Sequence, residues 1–66
     1  MFAENLNRIL NEQCMTHYRL AQLTGITHSA MSLYRNGKRK PHFDNLKKIA
    51  DALNVSADEL IKGEPE

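Results

Sequence analysis

Apolar residues recur along this chain of 66 residues at intervals of three and four, the spacing that places side chains on one face of an α-helix. In residues 2–13 this pattern predicts a first helix, with an apolar face formed by Phe2, Leu6, Ile9 and Leu10. The sequence lacks the sustained alternation of apolar and polar residues that indicates a β-strand. We therefore expect an all-α fold, without repeats or low-complexity segments.

A second and a third helix are predicted from residues that favour helix ends. Thr16 is a suitable N-cap, and Thr24-Gly25 ends the second helix because glycine readily adopts a positive φ. Thr27 is the N-cap of a third helix, which runs to about Arg35 and is stopped by Asn36-Gly37. The apolar residues of the second helix are Leu20, Ala21 and Leu23.

The ends of a fourth and a fifth helix are likewise predicted from residues that favour helix ends. Pro41 stands at the start of the fourth helix, and Asn54 follows that helix as a left-handed cap. Ser56 and Glu59 form a capping box for a fifth helix, which is expected to end at Gly63. The apolar residues of these helices are Phe43, Leu46, Ile49, Ala50 and Leu53 in the fourth, and Leu60 and Ile61 in the fifth.

The length and composition of the chain limit what it can be. A chain of this size fits one domain, so we expect a compact five-helix bundle over residues 1–63 and a frayed tail at residues 64–66. The single cysteine, Cys14, cannot form an internal disulfide and suits a reducing compartment. No apolar run suggests a signal peptide or a membrane span, so we expect a cytoplasmic protein that binds no membrane.

Charge is divided unevenly along the chain. Residues 17–48 hold seven Lys or Arg and one acid, Asp44, a formal charge of +6, whereas the other residues sum to −5 and leave a net charge of +1. This asymmetry favours a positive face that binds a polyanion, although a charge block can also serve only to solvate a surface.

Residues 16–35 have the layout of a helix-turn-helix, two short helices joined by a turn that contains glycine. At about 100° per residue, Ala30, Met31 and Tyr34 share the side of the third helix that packs on the body. The opposite side holds His28, Ser29, Ser32 and Leu33. This outer face has no formal charge, as expected of a helix that enters a DNA groove between two rows of phosphates. In the alternative register Leu33 is buried and Tyr34 faces outward.

The chain resembles the phage-repressor and Cro type of helix-turn-helix regulators (lambda repressor-like, XRE family). The resemblance covers nearly the whole chain. The residues that carry the resemblance are Thr16, Leu20-Ala21, Gly25-Ile26-Thr27, Met31-Ser32, Tyr34, Asn36-Gly37-Lys38-Arg39, Pro41, residues 49–56 and Glu59-Leu60. The resemblance implies a five-helix bundle whose third helix lies in the DNA major groove. It also implies a sequence-specific transcriptional regulator, a repressor, that binds operator DNA.

The resemblance implies two kinds of DNA contact. The residues expected to contact bases are His28, Ser29, Ser32 and Leu33. The residues expected to contact phosphates are His17, Arg19, Arg35, Asn36, Lys38, Arg39 and Lys40. Arg19 and Arg35 stand where the family commonly has acids, and Cys14 stands where glycine often ends the first helix. The outer face has no Asn or Gln, the usual readers of adenine.

Self-association is expected because one recognition helix reads only a few base pairs, and two copies would bind a palindromic operator. The residues expected at a homodimer interface are Val55, Leu60 and Ile61, although Leu60 and Ile61 could instead belong to the core. The alternative function is an antitoxin-like module that neutralises a partner protein.

Metal binding and catalysis find no support in the sequence. His17, His28 and His42 are separated by 11 and 14 residues, which matches no metal-ligand spacing, and Cys14 has no evident base beside it. We therefore expect no metal, no cofactor, no small-molecule ligand and no enzymatic activity.

Overall fold

The computed structural model describes residues 2–63, which fold into five helices and no strand. The helices are α1 (Phe2–Glu12), α2 (His17–Thr24), α3 (His28–Arg35), α4 (Phe43–Leu53) and α5 (Ala57–Ile61). The expected all-α bundle is therefore confirmed, whereas the predicted tail at residues 64–66 lies outside the described part. Within residues 2–63, no helix has both the length and the apolar character needed to cross a membrane.

One core holds all five helices together. Its most completely buried large side chains come from every helix, and they are Leu6, Leu20, Met31, Ile49, Leu53 and Leu60. Helix α2 packs on both α3 and α4, while α1 packs on α3 and α5. The core therefore fixes α3 from two sides, by α1 and by α2.

The predicted caps form as local chemistry dictates. The side-chain oxygens of Thr16, Thr27 and Ser56 each accept a hydrogen bond from the backbone N–H three residues later, at 3.1–3.3 Å. Gly25 adopts the left-handed conformation with φ 74°, and Asn54 does so with φ 58°. These five residues confirm where α2, α3 and α5 begin and where α2 and α4 end.

Several helix ends differ from the prediction by one or two residues. Helix α1 ends at Glu12. Helix α4 begins at Phe43, and its N-cap is His42 rather than Pro41. Helix α5 stops at Ile61, before Gly63. In the predicted capping box, Ser56 accepts from the Glu59 N–H, but the Glu59 carboxylate lies 3.7 Å from Arg8 Nη2 and 3.6 Å from Lys62 Nζ.

Two of the apolar residues named for the second and fourth helices are exposed rather than buried. Phe43 is 69% exposed because it begins α4, and side chains in a helix tilt toward its N-terminus, here past the edge of the core. Leu23 is 47% exposed because the buried side of α2 is centred between Leu20 and Ala21, and Leu23 falls about 110° from that centre.

Three amide side chains of α1 and the turn after it donate hydrogen bonds to carbonyls at the C-terminal ends of other helices. Asn5 Nδ2 bonds to the carbonyls of Leu60 and Lys62 at 2.9 Å each, at the end of α5. Asn7 Nδ2 bonds to the carbonyl of Arg35 at 3.0 Å, and Gln13 Nε2 to the last carbonyl of α4 at 2.7 Å. Carbonyls at helix ends lack partners within their own helices, so this segment supplies the missing donors.

Candidate nucleic-acid interface

Helix α3 is anchored through its inner side. Met31 is fully buried and Tyr34 is 3% exposed. The Tyr34 ring meets Phe2 edge to face at 6.3 Å, and its hydroxyl oxygen accepts a hydrogen bond from Asn45 Nδ2 at 3.0 Å. Because Tyr34 is in the core, the alternative register with Leu33 inside and Tyr34 outside is ruled out.

The outer face of α3 holds the four residues predicted to contact bases. His28 and Ser29 are exposed, while Ser32 and Leu33 are partly exposed. The structure thus brings these four side chains to one uncharged surface.

Three aromatic rings meet where α2 and α3 begin, and we call His17, Tyr18 and His28 the ring cluster. The centroids of Tyr18 and His28 are 4.3 Å apart with their planes 13° apart. His17 lies 4.4 Å from Tyr18 and 5.0 Å from His28. Burial lowers the pKa of His17 below its ordinary value of 6.5, with smaller contributions from the positive charge of Arg35 and from His28.

Tyr18 was not among the site residues predicted from the sequence. It is 60% exposed and stands between His17 and Arg19, two predicted phosphate contacts. An aromatic residue directly after the start of the second helix, outside its apolar stripe, was the available signal. Its contact with His28 across the turn could not be read from the sequence.

Arg35 ends α3 and is tied to α1. Its Nε donates a hydrogen bond to Asn7 Oδ1 at 3.2 Å, while Asn7 Nδ2 donates to the Arg35 carbonyl at 3.0 Å. Asn7, His17, Tyr18 and Arg35 line an open depression of about 840 Å³. The structure therefore places Arg35 beside the start of α2, close to the ring cluster.

The basic turn after α3, which we define as residues 36–40, has a defined backbone. Gly37 is left-handed with φ 74°, and its N–H bonds to the Tyr34 carbonyl at 3.2 Å. The Lys38 N–H bonds to the Leu33 carbonyl at 3.0 Å, which completes a Schellman motif. The predicted phosphate contacts in this turn are all exposed, and they are Asn36, Lys38, Arg39 and Lys40.

The remaining predicted site residues differ in how far they are exposed to solvent. Arg19 is exposed on α2, where its Nη1 lies 3.4 Å from Gln22 Oε1. Of the predicted dimer residues, Ile61 is 38% exposed and Val55 is partly buried against the core. Leu60 is fully buried, because α5 places it among the core side chains, so its assignment to a dimer surface was wrong.

Within residues 2–63, no group of three or more His, Cys, Asp or Glu side chains is arranged to hold a metal ion. Cys14 is an exposed free thiol just after α1. His42, the third histidine, precedes α4, at a distance in sequence from the ring cluster.

Comparison with known proteins agrees with this arrangement. Residues 5–66 match the model of the Cro/C1-type HTH DNA-binding domain. The chain is 39% identical over 64 residues to the HTH-type transcriptional regulator YqaE of Bacillus subtilis (strain 168), an alignment covering 97% of the chain and 55% of YqaE. No solved structure matches the chain.

Two further relatives carry opposite regulatory names. The transcriptional activator BcrR of Enterococcus faecalis is 32% identical over 63 residues, covering 96% of the chain and 31% of BcrR. The cryptic phage CTXphi transcriptional repressor RstR of Vibrio cholerae is 42% identical over 45 residues, covering 68% of the chain and 40% of RstR. The chain thus spans about half the length of YqaE (55%) and a smaller share of BcrR and RstR. Since the family model matches nearly all of it, the chain belongs to the family of Cro/C1-type HTH DNA-binding domains.

Proposed function

We propose that this chain is a sequence-specific regulator of transcription that binds double-stranded operator DNA with α3 in the major groove. One observation carries the proposal. Met31 and Tyr34 anchor α3 so that its uncharged side faces outward, directly before the exposed basic turn. A groove-reading helix beside phosphate-binding cations requires this combination.

The proposal divides the interface into two parts. The outer face of α3 selects the sequence, because base edges in the major groove differ in their hydrogen-bond donors, acceptors and methyl groups. The cations around it supply affinity without regard to sequence. These cations are Arg19, Arg35, Lys38, Arg39 and Lys40, with His17 and Asn36 as further phosphate contacts.

Selection from a randomised pool of DNA duplexes tests the proposal. We expect enrichment of one sequence, with an affinity that falls steeply as the salt concentration rises, because binding releases counterions from the phosphates. Enrichment of no sequence would contradict specific recognition. Affinity that does not depend on salt would contradict the phosphate contacts.

Substitutions separate the two parts of the interface. His28→Ala or Ser29→Ala should change the preferred bases, whereas Lys38→Ala should weaken binding to all duplexes alike and reduce the salt slope by about one. Lys62→Ala is the matched control, because it removes the same charge at the end of α5, beside Glu59. If Lys38→Ala and His28→Ala had the same effect on base preference, the division would be wrong.

We further propose that two copies bind a palindromic operator, because a single α3 spans few base pairs. The apolar side chains near the C-terminal end of the described residues include Ile61, which is 38% exposed, and Val55, which is partly buried. We assign both to the contact between the copies. Sedimentation of the chain with its selected duplex should give two copies per duplex. One copy on a duplex that carries both half-sites would contradict the dimer.

Occupancy of the operator is the simplest route to regulation, and we propose repression. RstR is named a repressor, whereas BcrR is named an activator, so a reporter gene behind the selected operator decides between them. Expression should fall when the chain is present.

The site of action we propose is the cytoplasm, and binding suffices without an enzymatic step. The antitoxin-like alternative is not favoured, since these relatives are named as transcriptional regulators.

A further inference from the structure

Tyr18 occupies an unusual position for an exposed aromatic residue. Its side chain is not among the buried core residues, whose aromatic members are Phe2 and Tyr34. Instead its ring packs against two imidazoles, 4.3 Å from that of His28 and 4.4 Å from that of His17. Core burial therefore does not account for the position of Tyr18. Its stack on His28 joins α2 to the first residue of α3.

The stack gives the exposed His28 side chain a packing partner. His28 is exposed at the first position of α3, where an unsupported side chain would sample several rotamers. The Tyr18 ring offers such support, since its plane lies only 13° from that of the His28 imidazole. Stacking uses the face of the imidazole and leaves its edge, with both nitrogens, available for hydrogen bonds.

The orientation of an imidazole determines what it can recognise. Its donor and acceptor lie in the ring plane, so a base edge is contacted with good geometry only when the plane points at it. A side chain ordered before binding also loses less conformational entropy at the interface. The ring cluster lies at the end of α3 where the outer face begins, which is where such ordering affects base recognition.

We propose that Tyr18 is a positioning residue for base recognition, and that its ring holds the His28 imidazole in the orientation that distinguishes one base pair from another. This inference rests on the proposed function, in which α3 reads operator DNA. Tyr18 acts through His28 and does not itself contact the base.

The test uses the duplex selected from randomised DNA and variants of it that differ at one base pair. The base pair read by His28 is the one at which His28→Ala loses discrimination. Tyr18→Leu keeps an apolar side chain but removes the ring, and discrimination at that base pair should fall roughly five- to tenfold. Tyr18→Phe keeps the ring and should retain discrimination within about twofold.

Controls separate positioning from folding. Phe43→Leu removes an exposed aromatic ring from the first turn of α4 and should leave discrimination at that base pair unchanged. In a His28→Ala background, Tyr18→Leu should have no further effect on discrimination, because no imidazole remains to be positioned. In the DNA-free protein, the NMR chemical shifts of the His28 ring protons should change in Tyr18→Leu and stay nearly unchanged in Tyr18→Phe.

Three results would overturn the proposal. The first is that Tyr18→Leu discriminates as well as the unaltered chain, which would leave recognition by α3 intact. The second is that Tyr18→Leu weakens binding to every duplex equally, also in the His28→Ala background, which would make Tyr18 a phosphate contact. The third is that His28→Ala loses discrimination nowhere. If the unaltered chain enriched no sequence at all, the proposed function would fail first and this inference with it.

Discussion

Asn7 and Arg35 exchange two hydrogen bonds across 28 residues of sequence, one from the Asn7 amide to the Arg35 carbonyl and one from Arg35 Nε to Asn7 Oδ1. The first satisfies a carbonyl at the end of α3, and the second fixes a cation beside the ring cluster. A single asparagine of α1 therefore links helix stability to the placement of a proposed phosphate contact.

Asn7→Ala removes both bonds. We expect the free energy of unfolding to fall by about 1 kcal/mol, because exposed hydrogen bonds contribute modestly, and DNA affinity to fall as Arg35 loses its support. Denaturant unfolding and binding to the selected duplex measure the two effects. Asn11→Ala, at another exposed asparagine of α1, is the control and should change neither. Equal affinity in Asn7→Ala and the unaltered chain would show that DNA binding does not depend on this support.

Cys14 adopts a conformation that suits glycine better. Its φ is 54°, and the Met15 N–H bonds back to the Leu10 carbonyl at 2.9 Å, so Cys14 is the left-handed residue that closes α1. Cys14→Gly should raise the free energy of unfolding by about 0.5–1 kcal/mol, since glycine tolerates positive φ. Cys14→Ala removes the thiol but keeps the strain and should leave stability nearly unchanged. Thermal or denaturant unfolding compares the variants, and a less stable Cys14→Gly would contradict this explanation.

The helices and the outer face of α3 could be predicted because their causes are local. Thr16, Thr27 and Ser56 cap helices through backbone groups three residues away, and the burial of Tyr34 follows from helical periodicity. The amide of Asn5, by contrast, finds its partner 55 residues away, and no pattern along the chain indicates such a contact. The position of Tyr18 depends in the same way on the packing of α2 against α3.

Protonation of His17 should affect folding and DNA binding in opposite directions. Burial, Arg35 and His28 lower its pKa below 6.5, so the unfolded chain binds the proton more readily than the folded one. Its contribution to stability is therefore complete above pH 6.5 and is lost as the pH falls from there through the lower, folded-state pKa. A bound phosphate would favour the imidazolium instead, so DNA affinity should rise as the pH falls from about 7.5 to about 5.5.

NMR titration of the His17 ring protons, with and without the selected duplex, measures both pKa values. His17→Gln removes the titrating group and should flatten this part of the pH dependence of binding, whereas His42→Gln, outside the ring cluster, should not. A His17 pKa above 6.5 in the DNA-free protein would contradict the expected direction of the shift.

Asn5 is the buried counterpart of Asn7, with 8% of its surface exposed and two carbonyl partners at the end of α5. Asn5→Ala should lower the free energy of unfolding by about 1–3 kcal/mol, because the carbonyls of Leu60 and Lys62 lose the donor that α1 supplies. Gln13→Ala, which removes a more exposed bond to the end of α4, should cost less. Chemical denaturation ranks the two variants. Hydrogen exchange should show opening of α5 before α3 in Asn5→Ala, since α5 is short and depends on this contact, and simultaneous opening of all helices would contradict a local role for Asn5.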